Sequence, residues 1–177
     1  MKPHWEYPQP PWIETPRLRL RPMHESDAAL IVAWRNSPET LQMMEQQVPI
    51  TLESHLAWFR SPRLGRVDYV MLRRDTDAVI GVLSFKNIEE GAAESGRVIG
   101  DLASRGQGLA LESAEAWFRY GFEVLGLRRI IGITHHRNEA NIRLNSKLGY
   151  QEDAEEAKGE FVRMTLSIER WRQLHIG

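Results

Sequence analysis

The strongest chemical signal in the sequence is a glycine-containing loop, Arg105-Gly106-Gln107-Gly108-Leu109-Ala110. It lies between a predicted strand and the longest predicted helix, where successive backbone N–H groups and the positive end of the helix dipole attract a phosphate. A dinucleotide-binding loop needs a third glycine where Leu111 stands, and a P-loop needs Gly-Lys-Ser/Thr, so both of these nucleotide sites are disfavoured. The open alternative is that the two glycines only form a tight turn.

A second polar segment follows at residues 138–150, which read Asn-Glu-Ala-Asn-Ile-Arg-Leu-Asn-Ser-Lys-Leu-Gly-Tyr. This segment and the loop resemble two spaced motifs of the GNAT N-acetyltransferase superfamily, whose loop motif is Gln/Arg-x-x-Gly-x-Gly/Ala. Residues 14–22 resemble the opening of the same family, so the resemblance covers nearly the whole chain after residue 12. Within the superfamily, the sequence is similar to the ribosomal-protein N-terminal acetyltransferases and to the amino-sugar acetyltransferases of the pseudaminic-acid pathway.

The resemblance implies that acetyl-CoA is the co-substrate and that the loop binds its pyrophosphate through backbone amides and the Arg105 side chain. It also implies that the strands at residues 98–102 and 130–134 splay apart and admit the pantetheine between them. The cofactor-binding residues implied are Ile99, Gly100, Asp101, Leu102, Arg105, Gly106, Gln107, Gly108, Leu109, Ala110, Asn138 and Asn141. For Asn138, helix capping is an equally supported role.

Direct attack by an amine is the reaction expected at such a site. The sequence has no cysteine and no Gly-x-Ser-x-Gly motif, so an acyl-enzyme is unsupported. An amine with a pKa well above neutrality must first lose a proton, which calls for a general base. The departing thiolate benefits from an acid or a hydrogen-bond donor.

The resemblance implies a base and leaves the acid unassigned. Glu94 is the implied base, and a solvated turn residue is the alternative interpretation of it. Many family members have a tyrosine acid at the position of Asn145, but an amide cannot release a proton at useful pH. Asn145 would therefore only steady the sulfur, and Tyr150 and Tyr120 are weaker candidates for the acid.

Aromatic and basic side chains form the predicted acceptor site. Residues 34–36, 55–59 and 80–85 resemble acetyltransferases that act on nucleotide-linked amino sugars, which favours such a sugar as the acceptor. The predicted substrate-binding residues are Trp34, Arg35, His55, Trp58 and His135. Core packing is the alternative for the tryptophans. N-terminal acetylation of a protein and non-catalytic acyl-CoA sensing stay open as other functions.

The hydrophobic pattern predicts the elements that carry these residues. The predicted strands cover residues 13–22, 68–73, 79–87, 95–102 and 129–134, with two more short strands between 150 and 169. The first predicted helix begins at residue 25. The other predicted helices cover residues 51–60, 107–125 and 139–148, with a helical end near Trp171. This order predicts a mixed α/β (α+β) fold. The resemblance implies a GNAT-like, largely antiparallel sheet of six or seven strands with a central splay and about four flanking helices.

Composition limits the other classes of function. The chain has 177 residues and a formal net charge of −1, which predicts one domain over residues 13–177 after an extended proline-rich arm at 1–12. The balanced charge disfavours a nucleic-acid partner, and no apolar window approaches a membrane span. The six histidines lack metal-ligand spacing, so no metal is expected. We expect a cytoplasmic enzyme acting on a small-molecule or peptide amine, and a homodimer stays open.

Overall fold

The computed structural model describes residues 12–153 and 159–175. The predicted N-terminal arm lies outside these ranges apart from Trp12. Residues 154–158, in the segment predicted to carry the last two short strands, also lie outside them. Within the described ranges the strands are β1 (Ile13–Glu14), β2 (Leu18–Pro22), β3 (Val67–Arg73), β4 (Val79–Glu89), β5 (Ala92–Ile99), β6 (Arg129–His135), β7 (Gln151–Glu152) and β8 (Phe161–Ser167). The helices there are α1 (Ala28–Arg35), α2 (Pro38–Leu41), α3 (Leu52–Arg60), α4 (Leu109–Glu123), α5 (Glu139–Leu148) and α6 (Ile168–His175).

The strands form one open sheet of eight in the described residues, in the order β1-β2-β3-β4-β5-β6-β8-β7. Neighbouring strands are antiparallel except β5 and β6, which are parallel. The predicted mixed α/β fold is therefore confirmed. The sheet exceeds the expected six or seven strands because β1 and β7 have only two residues each, too few to give a periodic pattern.

The pairing of β5 with β6 stops early and opens a slot in the sheet. The two strands pair only where Ala92–Glu94 lie beside Arg129–Ile131. Beyond that point, residues 95–99 and 132–135 continue as strands without pairing to each other. We call the gap between these two stretches the splay slot. The central splay implied by the family resemblance is thus present.

Helices cover both faces of the sheet. On one face, Trp117 of α4 stacks on Phe85 of β4 with ring centroids 4.5 Å apart, and both side chains are fully buried. Gly121 permits this approach, because a methyl group there would lie 2.7 Å from Cζ of Phe85. On the other face, Ile31 of α1 and the rings of α3 pack on Val70 of β3. We refer to these as the α4 face and the α1/α3 face.

The prediction of a single strand over residues 13–22 is wrong, because this segment forms a hairpin. β1 and β2 pair around a turn in which the Thr15 hydroxyl accepts a hydrogen bond from the Leu18 N–H (2.9 Å). The same hydroxyl donates to the Glu112 carboxylate of α4 (2.6 Å), 97 residues away in sequence. The alternating pattern could not reveal this turn, since a distant helix holds it.

The predicted strand over residues 95–102 begins and ends three residues too late. β5 already begins at Ala92, because Glu90 and Gly91 adopt positive φ angles of 49° and 76° and reverse the chain directly after β4. It ends at Ile99, because the N–H groups of Gly100 and Asp101 both turn to the Ile80 carbonyl (2.9 and 3.1 Å).

The helices predicted at residues 51–60, 107–125 and 139–148 are confirmed to within two residues at each end as α3, α4 and α5, whereas α1 begins three residues after the predicted start at residue 25. Thr51 caps α3 by accepting from the Ser54 N–H (3.0 Å), and Asn138 caps α5 by accepting from the Asn141 N–H (3.2 Å). Gly149 ends α5 with a φ of 99°, which favours glycine. No helix in the described ranges combines the length and apolarity needed to cross a bilayer.

A buried ion pair fixes the start of α1. Both carboxylate oxygens of Asp27 accept hydrogen bonds from Arg21 of β2 (2.8 and 2.9 Å), and one also accepts from the His24 N–H (2.8 Å). Burial alone would raise the pKa of Asp27, but the hydrogen bonds from Arg21 and His24 lower it below its ordinary value. The pair thereby ties α1 to the edge of the sheet.

Replacing Arg21→Met should lower the free energy of unfolding by about 3 kcal/mol at neutral pH, because it leaves the Asp27 carboxylate buried without its cation. Since the pKa of Asp27 is lowered in the folded state, this contribution is present at neutral pH and is lost as the pH falls through that pKa. The difference in the free energy of unfolding between the variant and the wild type should therefore become smaller below about pH 4. Urea unfolding measures it.

The matched control is Arg19→Met, on the same strand. Arg19 forms ion pairs with Glu14 and Asp77, and both of these carboxylate side chains are largely exposed. The substitution should cost less than about 1 kcal/mol. Equal losses in the two variants would contradict the assigned role of the Arg21–Asp27 pair.

Candidate active site

The loop at residues 105–110 has the geometry of an anion site. Gly106 and Gly108 have φ angles of 72° and 77°, where side chains are strained, and Gly108 directly precedes α4. In the described part of the chain, the backbone N–H groups from Gly106 to Ala110 have no acceptor. Five neighbouring donors at the start of a 15-residue helix can therefore point at a phosphate.

Side chains hold the loop in this form. Gln107 donates through Nε2 to the Ala103 carbonyl (2.6 Å), and the backbone carbonyl of Gln107 accepts from Nη1 of Arg17 (2.8 Å). Arg105 donates through Nε to the Ile99 carbonyl (3.0 Å) and lies 3.5 Å from the Glu39 carboxylate. The Arg105 guanidinium thus stays at the mouth of the splay slot.

A basic cleft of about 460 Å³ adjoins the loop on the side away from the splay slot. Arg17, Arg73 and Arg74 line it together with Asp75 and Gln107. The sequence analysis did not identify these arginines, because residues 17 and 73–74 lie on different strand ends and only the fold joins them. Arg17 pairs with Glu112 (2.6 Å) and Arg73 with Asp75 (2.7 Å), so Arg74 is the arginine of the three that leaves net positive charge beside the five free N–H donors.

Residues 99–102 line the mouth of the splay slot. Gly100 is buried against the Trp34 ring, which a side chain at this position would overlap. The N–H groups of Gly100 and Asp101 are already bonded to Ile80, and the Asp101 carbonyl accepts from the Ser104 N–H (3.2 Å), so the Gly100 carbonyl is the group available to a ligand. The Asp101 carboxylate accepts from the Ser104 hydroxyl, and Leu102 is 62% exposed.

Polar side chains close the splay slot on the α4 face. Nη2 of Arg97 donates to Oδ1 of Asn141 (2.6 Å) and lies 3.4 Å from Oδ1 of Asn145. Asn141 in turn donates through Nδ2 to the Thr134 hydroxyl (2.8 Å), so one chain of hydrogen bonds crosses from β5 to β6. The Asn145 amide lies over Gly132, where an added methyl group would come within 3.2 Å of Nδ2.

Arg97 is the functional candidate that the sequence analysis missed. Within the described residues it forms no ion pair, and its partners are amide oxygens. Burial lowers the pKa of Arg97, while burial raises the pKa of the nearby Tyr150 phenol, which argues against Tyr150 as an acid. The available signal was an arginine beside Gly96 in the middle of a predicted strand.

Glu94 lies at the closed end of the splay slot, on the α1/α3 face. Its carboxylate pairs with Nζ of Lys86 (3.0 Å) and accepts from Nδ2 of Asn87 (2.9 Å). Burial would raise the pKa of Glu94, but these two hydrogen bonds lower it below its ordinary value. The carboxylate is therefore ionised at neutral pH, and its role as the base stays a prediction.

Three cations and one anion meet beside α3, and we call this group the arginine cluster: Arg35, Arg63, Arg66 and Asp68. Asp68 pairs with Arg63 (3.1 Å) and with Arg66 (2.8 Å). Arg35 has no carboxylate partner in the described chain. The pKa of Arg35 is lowered, mainly by burial and to a smaller extent by the positive charge of Arg66. The cluster carries excess positive charge.

His55 and Trp58 stand beside the arginine cluster. The Trp58 ring lies 4.9 Å from the Arg66 guanidinium and 5.4 Å from that of Arg63. His55 is buried with its Nε2 atom unpartnered among the described residues, and burial followed by the Arg35 charge lowers its pKa. The structure thus brings Arg35, His55 and Trp58 together, while Trp34 packs on Gly100.

His135 lies apart from this group, at the open end of β6. Its Nδ1 accepts from the Arg137 N–H (3.2 Å), and its Nε2 lies 3.6 Å from the Glu160 carboxylate. His136 completes a set whose ligand atoms all lie within 4.8 Å of one another. Because Nδ1 of His135 accepts this bond, the ring proton lies on Nε2, facing Glu160. The Arg137 guanidinium also approaches Glu160 (3.8 Å), so Glu160 is better explained as the anion of an ion pair with Arg137 than as a metal ligand.

Comparison with known proteins gives a family and two relatives. The sequence model of a family described as "Acetyltransferase (GNAT) domain" matches residues 17–151. The chain is 32% identical over 152 residues to the uncharacterized N-acetyltransferase YoaA of Bacillus subtilis, covering 81% of this chain and 84% of YoaA. It is 22% identical over 152 residues to the uncharacterized protein MJ1062 of Methanocaldococcus jannaschii, covering 84% of this chain and 31% of that longer protein.

Three solved structures share the fold. Apo FdhC, described as a nucleotide-linked sugar GNAT, gives a TM-score of 0.79 at 18% identity and covers 93% of this chain and 94% of FdhC. The spermidine N-acetyltransferase of Vibrio cholerae with CoA and spermine gives 0.77 at 19%, covering 89% and 99%. The ribosomal-protein-S5-alanine acetyltransferase of Vibrio fischeri gives 0.75 at 18%, covering 92% and 99%.

Gly106→Asp should weaken acetyl-CoA binding at least about tenfold more than Gly106→Asn, because only the aspartate places a negative charge beside the phosphate donors. Both side chains tolerate positive φ, and no atom lies within 4 Å of a methyl group built at this glycine. The two variants should therefore melt at the same temperature. Calorimetric titration measures binding, and equal affinities would show that the loop binds no phosphate.

Proposed function

The chain belongs to the GNAT acetyltransferase family, and from this membership we propose that it transfers an acetyl group from acetyl-CoA to a primary amine. The observation that carries the proposal is the loop at residues 106–110, whose free N–H donors open beside the splay slot. A pyrophosphate and an extended amide-bearing chain are the two ligand parts that such a pair of features fits.

Acetyl-CoA would be bound mainly by backbone groups. The loop amides with Arg105 would hold its pyrophosphate, and the unpaired strand edges of the splay slot would take up its pantetheine amides. Asn138 caps α5 and Asn141 bonds Thr134, so their side chains would support the slot more than they contact the co-substrate. Gly100 offers its carbonyl at the slot mouth.

Transfer requires one bond to form and one to break. The amine nitrogen forms the C–N bond to the thioester carbonyl carbon, the C–S bond breaks, and sulfur keeps the bonding pair. The nitrogen loses one proton, which Glu94 would accept on the α1/α3 face, directly or through a water. Asn145 lies over Gly132 on the opposite face and would donate only a hydrogen bond.

A nucleotide-linked amino sugar is the acceptor that the charges favour. The arginine cluster offers two net positive charges and an indole face, which suits a diphosphate and a base or sugar ring. Asp68, Ser84 and Gly96 stand opposite one another on adjacent strands, so the cluster lies two strand spacings, about 10 Å, from the splay slot. A polycationic amine would be repelled by this surface.

Measuring CoA release with a thiol reagent tests the function. The protein would be given acetyl-CoA with a nucleoside-diphosphate-linked amino sugar, with a peptide bearing a free N-terminal alanine, or with spermidine. We expect the sugar nucleotide to react with the highest kcat/KM. A faster peptide or spermidine would overturn the acceptor, and acetyl-CoA binding without turnover of any amine would show a sensor instead of an enzyme.

Arg35→Met should reduce kcat/KM for the sugar nucleotide by about tenfold or more, because a charge-assisted hydrogen bond to phosphate is lost. The same variant should leave an uncharged amino sugar unaffected. Arg60→Met is the matched control, since Arg60 pairs with Glu25 on the exposed side of α3. Equal losses with both substrates would indicate that Arg35 is structural.

Glu94→Gln should lower kcat by about a hundredfold or more while acetyl-CoA affinity is unchanged. Because the pKa of Glu94 is lowered, its carboxylate is already ionised between pH 6 and 9. Any change of the wild-type kcat with pH in this range should therefore report the ionisation of the amine substrate. Glu89→Gln, on the exposed end of β4, is the control. An unchanged kcat would mean that water removes the proton without this carboxylate.

A further inference from the structure

The Arg97 side chain donates to two amide oxygens at the splay slot, those of Asn141 and Asn145. It stands three residues beyond Glu94, the last residue of β5 that pairs with β6, and reaches across to α5. The same guanidinium is therefore close to both unpaired strand edges, since its partner Asn141 is bonded to Thr134 of β6.

The charge of Arg97 is uncompensated in this position. A partly buried guanidinium is costly unless an anion pairs with it, and the two amide oxygens near Nη2 of Arg97 do not neutralise its charge. A group that becomes negative only during the reaction is stabilised most by a charge that is already in place. The arrangement fits a transient anion inside the splay slot.

We propose that Arg97 stabilises the negative charge that develops on the CoA sulfur as the acetyl group leaves, in place of a proton-donating side chain. This inference rests on the proposed function. When the C–S bond breaks, sulfur keeps the pair as a thiolate, and the Arg97 cation offsets that charge before a proton arrives from the amine or from water. No acid is then required.

Asn141 and Asn145 are positioning residues in this arrangement. Oδ1 of Asn141 holds the Arg97 guanidinium at 2.6 Å, and Asn145, buried over Gly132, approaches it at 3.4 Å. A tyrosine at residue 145 would bring a hydroxyl to this place, whereas the amide oxygen accepts from the cation. The absence of an acid at residue 145 and the presence of a cation at residue 97 are therefore explained together.

Binding of free CoA and of desulfo-CoA, which lacks the sulfur, tests the proposal without turnover. A thiol has an ordinary pKa of about 8.5, and a neighbouring cation lowers it. If the thiol of bound CoA ionises about one unit earlier, CoA affinity should rise about tenfold relative to desulfo-CoA between pH 6 and 9.5. Tyr150, the titratable group beside Arg97, has a raised pKa and does not ionise in this range.

Arg97→Gln should abolish the rise in CoA affinity with pH, and Arg97→Lys should retain part of it because the charge remains. Arg119→Gln, which removes an exposed charge on α4, is the control and should behave as wild type. Acetyl transfer should also fall about a hundredfold in Arg97→Gln. If Arg97→Gln fails to fold, the wild-type difference between CoA and desulfo-CoA and the Arg97→Lys titration still decide the matter.

The outcomes separate the two proposals. If wild type binds neither CoA nor desulfo-CoA, the proposed function fails whatever Arg97 does. If both bind with the same pH dependence in wild type, or if the rise with pH survives in Arg97→Gln, Arg97 does not stabilise the thiolate and the proposed function still stands.

Discussion

The loss of pairing between β5 and β6 after Glu94 and Ile131 is the constraint on which the rest of the structure depends. Two strands that separate inside a sheet leave backbone N–H and C=O groups that must find other partners. Part of the cost is met within the chain by the hydrogen bonds from Arg97 through Asn141 to Thr134, which join the separated strands. The remaining edge groups are left for a ligand that itself carries amides.

The turn that follows β5 prepares the second half of the same site. Because Gly100 and Asp101 bond back to Ile80, the chain leaves the sheet at once and enters the loop before α4. Gly106 and Gly108 then adopt positive φ, which turns successive N–H groups in one direction at the helix start. The splay slot and the loop at residues 105–110 therefore follow one another along the chain, the slot from the loss of β5–β6 pairing and the loop from the end of β5 at Ile99.

Local signals predicted the parts of the molecule that local physics decides. Caps, glycine stops and apolar periodicity predicted α3, α5 and the glycine turn before α4, because these depend on residues a few positions apart. They failed at Thr15, whose turn is held by Glu112, and at Arg97, whose partner Asn141 is 44 residues away. Neither partner is visible in the sequence near the residue it positions, so long-range contacts set what was missed.

The alternation of a strand also separates the two halves of the reaction. Glu94 and Arg97 differ by three positions on β5, so their side chains leave opposite faces of the sheet. Glu94 faces α1 and α3, where the arginine cluster and the tryptophans would receive an amine, and Arg97 faces α5, where the sulfur would depart. Because of this separation Arg97 does not pair with Glu94, whose carboxylate pairs with Lys86 on its own face. In the proposed reaction the thioester would lie between the two faces, so that the carboxylate would take a proton while the cation offsets the new negative charge.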